Sequence, residues 1–158
     1  MVEIISKSWQ DTEKLGSIVG EIVEKQKGIV LALTGELASG KTCFVKGLVK
    51  KICGSWWVHS PTFTIVNVYG SPPKVIHIDC YRISSYKELI SIGVEELIGG
   101  ESICVIEWAD KVKEVLPSEY ISIHFEHIEE NIRKIYISDP SSILEQSLRD
   151  TFFPSETN

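Results

Sequence analysis

Apolar residues recur along the chain with two spacings, and each spacing predicts a different kind of element. A spacing of three and four residues predicts two amphipathic helices, the first opened by Asp11 or Thr12 and the second ended by Gly54. Their apolar stripes are Leu15, Ile18, Val19, Ile22 and Val23, then Phe44, Val45, Leu48, Val49 and Ile52. An unbroken apolar run over 28–34 predicts a strand that is buried on both faces and precedes the second helix.

Shorter strand-like runs occupy much of the remaining chain. They cover 2–8, 62–69, 74–81, 103–106, 120–126 and 132–138. Polar or glycine- and proline-rich turns at 70–73 and 129–131 predict two antiparallel connections. A short helix is expected over 86–92, stopping near Gly93, and 94–98 has no clear pattern. This order predicts a three-layer α/β fold with a mixed parallel and antiparallel sheet.

Beyond residue 138 the pattern changes. Ile143, Leu144 and Leu148 have the spacing of a short helix, and the final PSETN is typical of a loose tail. We therefore expect one domain over 1–138, followed by a C-terminal extension over 139–158 that consists of this helix and tail.

The composition narrows the class of protein. The chain has 158 residues, 43% hydrophobic and 24% charged, which fits one globular domain and excludes a disordered chain. Its 16 basic and 22 acidic side chains give a net charge of −6, too acidic for gripping nucleic acid alone. The four cysteines form no C-x-x-C pair and are expected to be buried reduced thiols, although two disulfides remain possible. Neither a signal peptide nor a membrane span is recognisable, so we expect a cytoplasmic protein without membrane contact.

The turn before the second helix carries the strongest functional signal. Gly35 to Thr42 reads GELASGKT and fits the phosphate-binding pattern G-x-x-x-x-G-K-[ST]. The glycines allow backbone N–H groups to converge on anionic oxygens, and the helix that follows adds its positive dipole end. Lys41 is suited to the β- and γ-phosphates, and the Thr42 hydroxyl is suited to Mg²⁺. The pattern predicts a P-loop NTPase fold.

Two later strands add acidic residues. Glu107 follows the apolar run 103–106, at the carboxyl edge where α/β sheets bind ligands. On the run 74–81 the alternation places His77, Asp79 and Tyr81 on one face. A bound Mg²⁺-nucleotide would supply partners for this polar face, and an edge strand with a solvated face is the alternative. Two further histidines are interpreted as structural: His124 and His127.

The GELASGKT loop is followed by SPTF over 60–63, HIDCYR over 77–82 and the pair Glu107 and Trp108. In this order the motifs resemble the TsaE (YjeE) family, the small P-loop ATPase of bacterial tRNA N6-threonylcarbamoyladenosine (t6A) synthesis, over about residues 1–138. The resemblance implies that ATP and Mg²⁺ bind, with Thr42 and Glu107 as the metal ligands and Thr62 as a γ-phosphate sensor. The implied catalytic residues are Lys41, Asp79 and Glu107. The implied nucleotide contacts are Thr12, Glu36, Leu37, Ala38, Ser39, Gly40, Lys41, Thr42, Trp108 and Arg133.

The resemblance also implies the partners TsaB and TsaD, with tRNA reached only through their complex, and hydrolysis that allows multiple rounds of modification. No general base or arginine finger is evident, so we expect weak ATPase activity alone, completed by Arg82 or by the partners. The family usually has Gly-Ala where this chain has Ala38 and Ser39. If position 38 requires a positive φ, alanine there costs roughly 1 kcal/mol.

Three other functions deserve comparison. A small-molecule kinase usually has a lid with several arginines, and this chain offers only Arg82, Arg133 and Arg149. A GTPase is disfavoured because the guanine-reading pattern N-K-x-D does not occur. A nucleotide-gated interaction module, with Trp56 and Trp57 as a docking patch, would act through binding without required hydrolysis.

Overall fold

The computed structural model describes residues 1–54, 58 and 64–154. The strands are β1 Val2–Ser6, β2 Val30–Gly35, β3 Val66–Tyr69, β4 Val75–Asp79, β5 Ile103–Glu107, β6 Ile121–Glu129 and β7 Ile132–Ser138. The helices are α1 Trp9–Val23, α2 Lys41–Cys53, α3 Tyr86–Ser91, α4 Val94–Ile98 and α5 Ile143–Phe152, with a 3₁₀ helix over Ala109–Val115. The two amphipathic helices and the buried strand before α2 are confirmed.

The strands form one seven-stranded sheet in the order β1-β7-β6-β2-β5-β4-β3. Its four central strands, β6, β2, β5 and β4, are parallel neighbours. The remaining pairs, β1 with β7, β6 with β7 and β3 with β4, are antiparallel. The predicted mixed sheet is confirmed, and the carboxyl ends of the parallel strands meet at one edge, where α/β proteins bind ligands.

Helices cover both faces of the sheet and complete the three predicted layers. The first layer, α1, α2 and α5, packs on the face that carries Leu31, Leu33 and Ile123. The second layer, α3, α4 and the 3₁₀ helix, packs on the face that carries Ile78 and Ile106. Alternating side chains along β2, β4 and β5 therefore enter two separate cores.

Two glycines allow α1 and α2 to touch backbone to backbone. A Cβ on Gly16 would lie 2.0 Å from the Phe44 carbonyl oxygen, and one on Gly47 would lie 1.8 Å from the Glu13 carbonyl oxygen. These distances leave no room for any other side chain. Because α2 begins at Lys41, this contact also fixes the position in space of the end of the GELASGKT turn.

Some predicted boundaries are corrected. Helix α1 begins at Trp9, with the Ser8 side chain accepting from the Asp11 N–H, so the expected start at Asp11 or Thr12 was wrong. The sequence signal failed there because the first turn has one large apolar residue, the exposed Trp9, and the apolar stripe begins only at Leu15. Residues 94–98, which had no clear pattern, form α4, and the 3₁₀ helix was not predicted.

Helix α5 lies in the extension expected over 139–158, and its Leu144 and Leu148 are buried in the core of the first layer. The division of the chain at residue 138 stays a prediction. The start of the strand expected from residue 62, and the tail from 155, fall outside the described residues.

The four cysteines are free, with Cys80 and Cys104 buried and Cys43 and Cys53 half-buried. Within the described part of the chain, no helix is long and apolar enough to cross a membrane.

Candidate functional site

The GELASGKT turn joins β2 to α2 in a backbone conformation that few residues adopt. Gly35 and Gly40 have φ of 136° and 106°, and Ala38 has a φ of 59°. A Cβ on Gly35 would lie 2.5 Å from the Phe125 carbonyl oxygen, so glycine is required there for space as well as for conformation. Position 38 has a positive φ, so the alanine strains the turn by roughly 1 kcal/mol.

The Lys41 side chain folds back over this turn. Its Nζ donates to the carbonyl oxygens of Gly35 and Glu36, each at 2.7 Å, and to Ser39 Oγ at 3.2 Å. Burial lowers the pKa of Lys41, while the carboxylates of Glu107 and Asp79 oppose that shift. The ammonium group thus lies inside the turn, with acidic side chains close enough to stabilise its charge.

A chain of polar contacts forms the floor of the site. The Thr42 hydroxyl donates to Glu107 Oε1 at 3.2 Å, and His77 Nε2 lies 2.7 Å from Glu107 Oε2. Asp79 is the register partner of Glu107 on the neighbouring strand. The parallel pairing of β4 with β5 therefore brings together the acidic residues that the sequence placed on separate strands.

Strand β4 lies between β3 and β5, so the alternative of an edge strand with a solvated face is wrong. His77 is 0% exposed and faces Glu107. The polar face of β4 was predicted correctly, and the buried partner of His77 on that face is the Glu107 carboxylate.

Aromatic and basic side chains form the rim. Trp108 has a φ of 59°, which turns its indole back over the site, so that Lys41 Nζ lies 4.3 Å from the ring centroid. The Tyr81 ring lies 5.1 Å from the Trp108 ring. Arg133, from β7, packs against the turn. Its Nε lies 3.1 Å from the position that a Cβ on Gly40 would occupy.

Together these residues enclose a cavity of about 320 Å³, which we call the cradle. It is lined by Leu37, Ala38, Ser39, Gly40, Lys41, Thr42, Cys43, Asp79, Tyr81, Glu107, Trp108 and Arg133. Among the described residues that the resemblance implied for catalysis, metal or nucleotide, all except Thr12 and Glu36 line the cradle. Tyr81 was predicted only as part of the β4 face, and Cys43 not at all, although it directly follows the motif.

Thr12 lies below the turn and is 0% exposed. Its hydroxyl is 2.7 Å from Ser6 Oγ, and its methyl group faces Gly40. Glu36 instead lines a second cavity of about 520 Å³, which shares Trp108 with the cradle. His124 also borders that cavity and bonds Thr34 Oγ1 through Nδ1 at 2.8 Å, in line with a structural role.

The floor of the cradle fits a magnesium ion. Thr42 Oγ1 and Glu107 Oε1 are hard oxygen donors 3.2 Å apart. Across the described ranges, no group of three or more His, Cys, Asp or Glu side chains is arranged to hold a metal. Magnesium does not need such a cage, because in nucleotide sites it takes one or two protein ligands and completes its shell with phosphate oxygens and water.

Other predicted functional residues, Thr62 in the SPTF segment and the docking patch of Trp56 and Trp57, lie outside the described residues.

Sheet order and cradle together define the class as a three-layer P-loop NTPase fold, in which β2 leads through the glycine turn into α2. Its fold is similar to that of the Bacillus subtilis YdiB crystal structure, with a TM-score of 0.78 and 24% identity over 95% of each chain.

The family model described as threonylcarbamoyl adenosine biosynthesis protein TsaE matches residues 6–135. The chain is 38% identical over 134 residues to the Treponema pallidum tRNA threonylcarbamoyladenosine biosynthesis protein TsaE, covering 85% of this chain and 98% of that one. It is also 38% identical over 140 residues to the Aquifex aeolicus protein of that name, covering 85% and 94%. This chain belongs to the TsaE family, as the motif order indicated.

Proposed function

We propose that this protein binds ATP with Mg²⁺ in the cradle and hydrolyses it to ADP and phosphate as a component of t6A biosynthesis. The observation that carries the proposal is the convergence of Lys41, the strained glycine turn and the Thr42–Glu107 pair on one cavity. Each is a group that triphosphate binding needs, and the sheet brings them to the edge where such ligands bind.

The chain's own residues divide the work of binding. Backbone N–H groups of the turn and the N-terminus of α2 would bind the phosphates, and Lys41 would add a positive charge. Thr42 and Glu107 would hold Mg²⁺, which neutralises charge on the phosphate oxygens when bound. We include Trp108 and Arg133 as the contacts for base and ribose, whereas Thr12, which is 0% exposed below the turn, contributes only by packing against Gly40. Arg133 and Trp108 line the cradle, which supports their part in the proposal.

The proposed reaction is an in-line displacement. A water oxygen attacks the γ-phosphorus, the bond to the β–γ bridging oxygen breaks, and that oxygen leaves with ADP. Asp79 lies beside Glu107 and lines the cradle, so we assign it to orienting this water. The water's protons pass to phosphate and solvent.

We further propose that TsaB and TsaD are the partners, that the complex rather than this acidic chain contacts tRNA, and that the protein acts in the cytoplasm. An arginine finger raises the rate of phosphoryl transfer by several orders of magnitude. Arg133 packs against the turn and is assigned here to base and ribose, and Arg82 follows β4, so neither arginine is assigned to the γ-phosphate. We therefore expect weak hydrolysis by the isolated chain and stimulation by the partner complex.

Calorimetry and steady-state hydrolysis test this proposal. ATP with Mg²⁺ should bind to the wild type, and Lys41→Ala should abolish measurable binding because the buried ammonium is lost. Lys46→Ala is the matched control, since Lys46 is exposed on the same helix. Hydrolysis should rise when TsaB and TsaD are added. Equal binding by the wild type and Lys41→Ala would contradict the proposal, and fast hydrolysis by the isolated chain would contradict the role of the partners. A Glu107→Gln variant that does not hydrolyse ATP yet sustains many rounds of modification would instead favour the nucleotide-gated interaction module.

A further inference from the structure

His77 is buried in a position where packing alone does not explain a histidine. Its side chain is 0% exposed, on the face of β4 that enters the core of the first layer. Its neighbours along that face of the sheet, Val75 and Val105, are fully buried and apolar. A polar ring in such surroundings loses its hydration and must recover the cost through hydrogen bonds.

The ring recovers only part of that cost. Nε2 is 2.7 Å from Glu107 Oε2, whereas Nδ1 has no hydrogen-bond partner among residues 1–54, 58 and 64–154. A buried imidazole with one satisfied nitrogen is a poor contribution to stability. Its short hydrogen bond is to Glu107, which indicates that His77 acts through that carboxylate.

The carboxylate of Glu107 is held at both ends. An ionised carboxylate only accepts hydrogen bonds, so His77 Nε2–H is the donor to the inner oxygen Oε2. The outer oxygen Oε1 accepts from Thr42 at the floor of the cradle. With Oε2 fixed from below, rotation of the carboxylate is restricted and Oε1 stays directed at Thr42.

We infer that His77 is a positioning residue for the cation site: it fixes the Glu107 carboxylate so that Oε1 and Thr42 Oγ1 present oxygens to a divalent cation together. This inference rests on the proposed function, because the cation is the Mg²⁺ that accompanies ATP. Removing such an outer partner of a metal ligand typically weakens metal affinity by about 10- to 100-fold.

The test compares nucleotide binding with and without the cation. ATP binding is measured by calorimetry in EDTA and across a Mg²⁺ titration, and thermal unfolding is recorded without either ligand. For His77→Leu we expect about 10-fold or more Mg²⁺ for half-maximal enhancement of binding, with the EDTA affinity unchanged. Ile76→Ala is the control, because Ile76 is buried on the opposite face of β4 and should alter unfolding without altering the Mg²⁺ requirement.

Two polar variants keep the test decisive if His77→Leu does not fold. The amide nitrogen of His77→Gln reaches the position of Nε2 and should restore the wild-type Mg²⁺ requirement to within about threefold. His77→Asn ends at the position of Nδ1, so its requirement should resemble that expected for His77→Leu.

The outcomes separate the inference from the function. An unchanged Mg²⁺ requirement in folded His77→Leu or His77→Asn, with wild-type binding still enhanced by Mg²⁺, overturns the inference alone. Equal losses with Mg²⁺ and in EDTA also overturn it, because they indicate a purely structural role. Wild-type binding that does not respond to Mg²⁺ contradicts the proposed function itself.

Discussion

The two helical layers that cover the sheet are built differently. In the first layer, α1 has 15 residues and α2 has 13, and their backbones touch at Gly16 and Gly47. In the second layer, α3, α4 and the 3₁₀ helix have 6, 5 and 7 residues. An added Cβ at Gly99 or Gly100 there would lie 3.3 or 3.5 Å from its nearest neighbour. The first layer thus includes a backbone-to-backbone contact between two long helices, whereas the second packs three short segments through their side chains.

The difference matters because each layer supplies a different part of the cradle. The first layer contributes Lys41 and Thr42 at the start of α2, where position depends on the helix axis. The chain that enters the second layer contributes Trp108, directly before the 3₁₀ helix. Backbone-to-backbone packing therefore underlies the groups proposed to hold phosphate, whereas Trp108 depends on the short segments of the second layer.

Alanine at Gly47 should produce the largest effect. The added Cβ would overlap a backbone oxygen at 1.8 Å, which no side-chain rotation relieves, so α1 and α2 must separate. We expect a loss of about 3 kcal/mol in the free energy of unfolding, measured by urea denaturation. Gly100→Ala is the counterpart in the second layer and should change stability by less than about 0.5 kcal/mol. Similar losses for the two variants would remove the distinction between the layers.

The contact between Lys41 and Trp108 should couple the two layers. Its geometry, with Nζ 4.3 Å from the ring centroid, predicts a coupling free energy of about 1 kcal/mol. A double-mutant cycle of Lys41→Met and Trp108→Leu, measured by urea denaturation of the ligand-free protein, gives this value. The same cycle with the exposed Lys46→Met should give no coupling. Additive effects in the Lys41 cycle would show that the rim is independent of the phosphate loop.

Glycine at position 38 should relieve backbone strain in the GELASGKT turn, which joins the sheet to α2 of the first layer. Ala38 has a φ of 59°, which costs an alanine roughly 1 kcal/mol, whereas glycine adopts it freely but gains entropy when unfolded. We expect Ala38→Gly to raise the free energy of unfolding by about 0.5 kcal/mol. Ala32→Gly is the control, because Ala32 lies in the middle of β2. This variant should lower the free energy of unfolding by about 1 kcal/mol. A loss of stability in both variants would argue against strain at position 38.

Thiol labelling compares the local stability of the two layers in the wild-type protein. Burial raises the pKa of the Cys80 and Cys104 thiols to about 12, and both lie in the core of the second layer. Few thiolates form near neutral pH, and labelling should speed up about tenfold per pH unit. Cys43 and Cys53, half-buried on α2, should react first. We expect Cys80 and Cys104 to react in urea below the global unfolding midpoint, and labelling only at that midpoint would contradict a looser second layer.

Sequence reasoning succeeded where one segment carries its own information. The GELASGKT turn specified the join between β2 and α2. The alternation along β4 correctly placed His77 and Asp79 on one face. Both results depend only on local geometry, which neighbouring residues determine.

The missed features depend on segments that are distant in the sequence or too short for a pattern. The bond between His77 and Glu107 follows from the register of β4 against β5, which neither strand encodes alone. The five residues of α4 complete little more than one turn, so no period is visible. The start of α1 was misplaced because the polar Ser8 cap and an exposed Trp9 precede the apolar stripe.

The β6–β7 hairpin imposes a length requirement on its own turn. Arg133, whose side chain packs against Gly40, stands opposite His127, close to the turn at 130–131. Surface loops usually tolerate insertions. Here a single added residue that shifted the strand register would point the guanidinium to the other side of the sheet and away from the cradle. Relatives that keep this arginine should therefore vary the composition of the turn more readily than its number of residues.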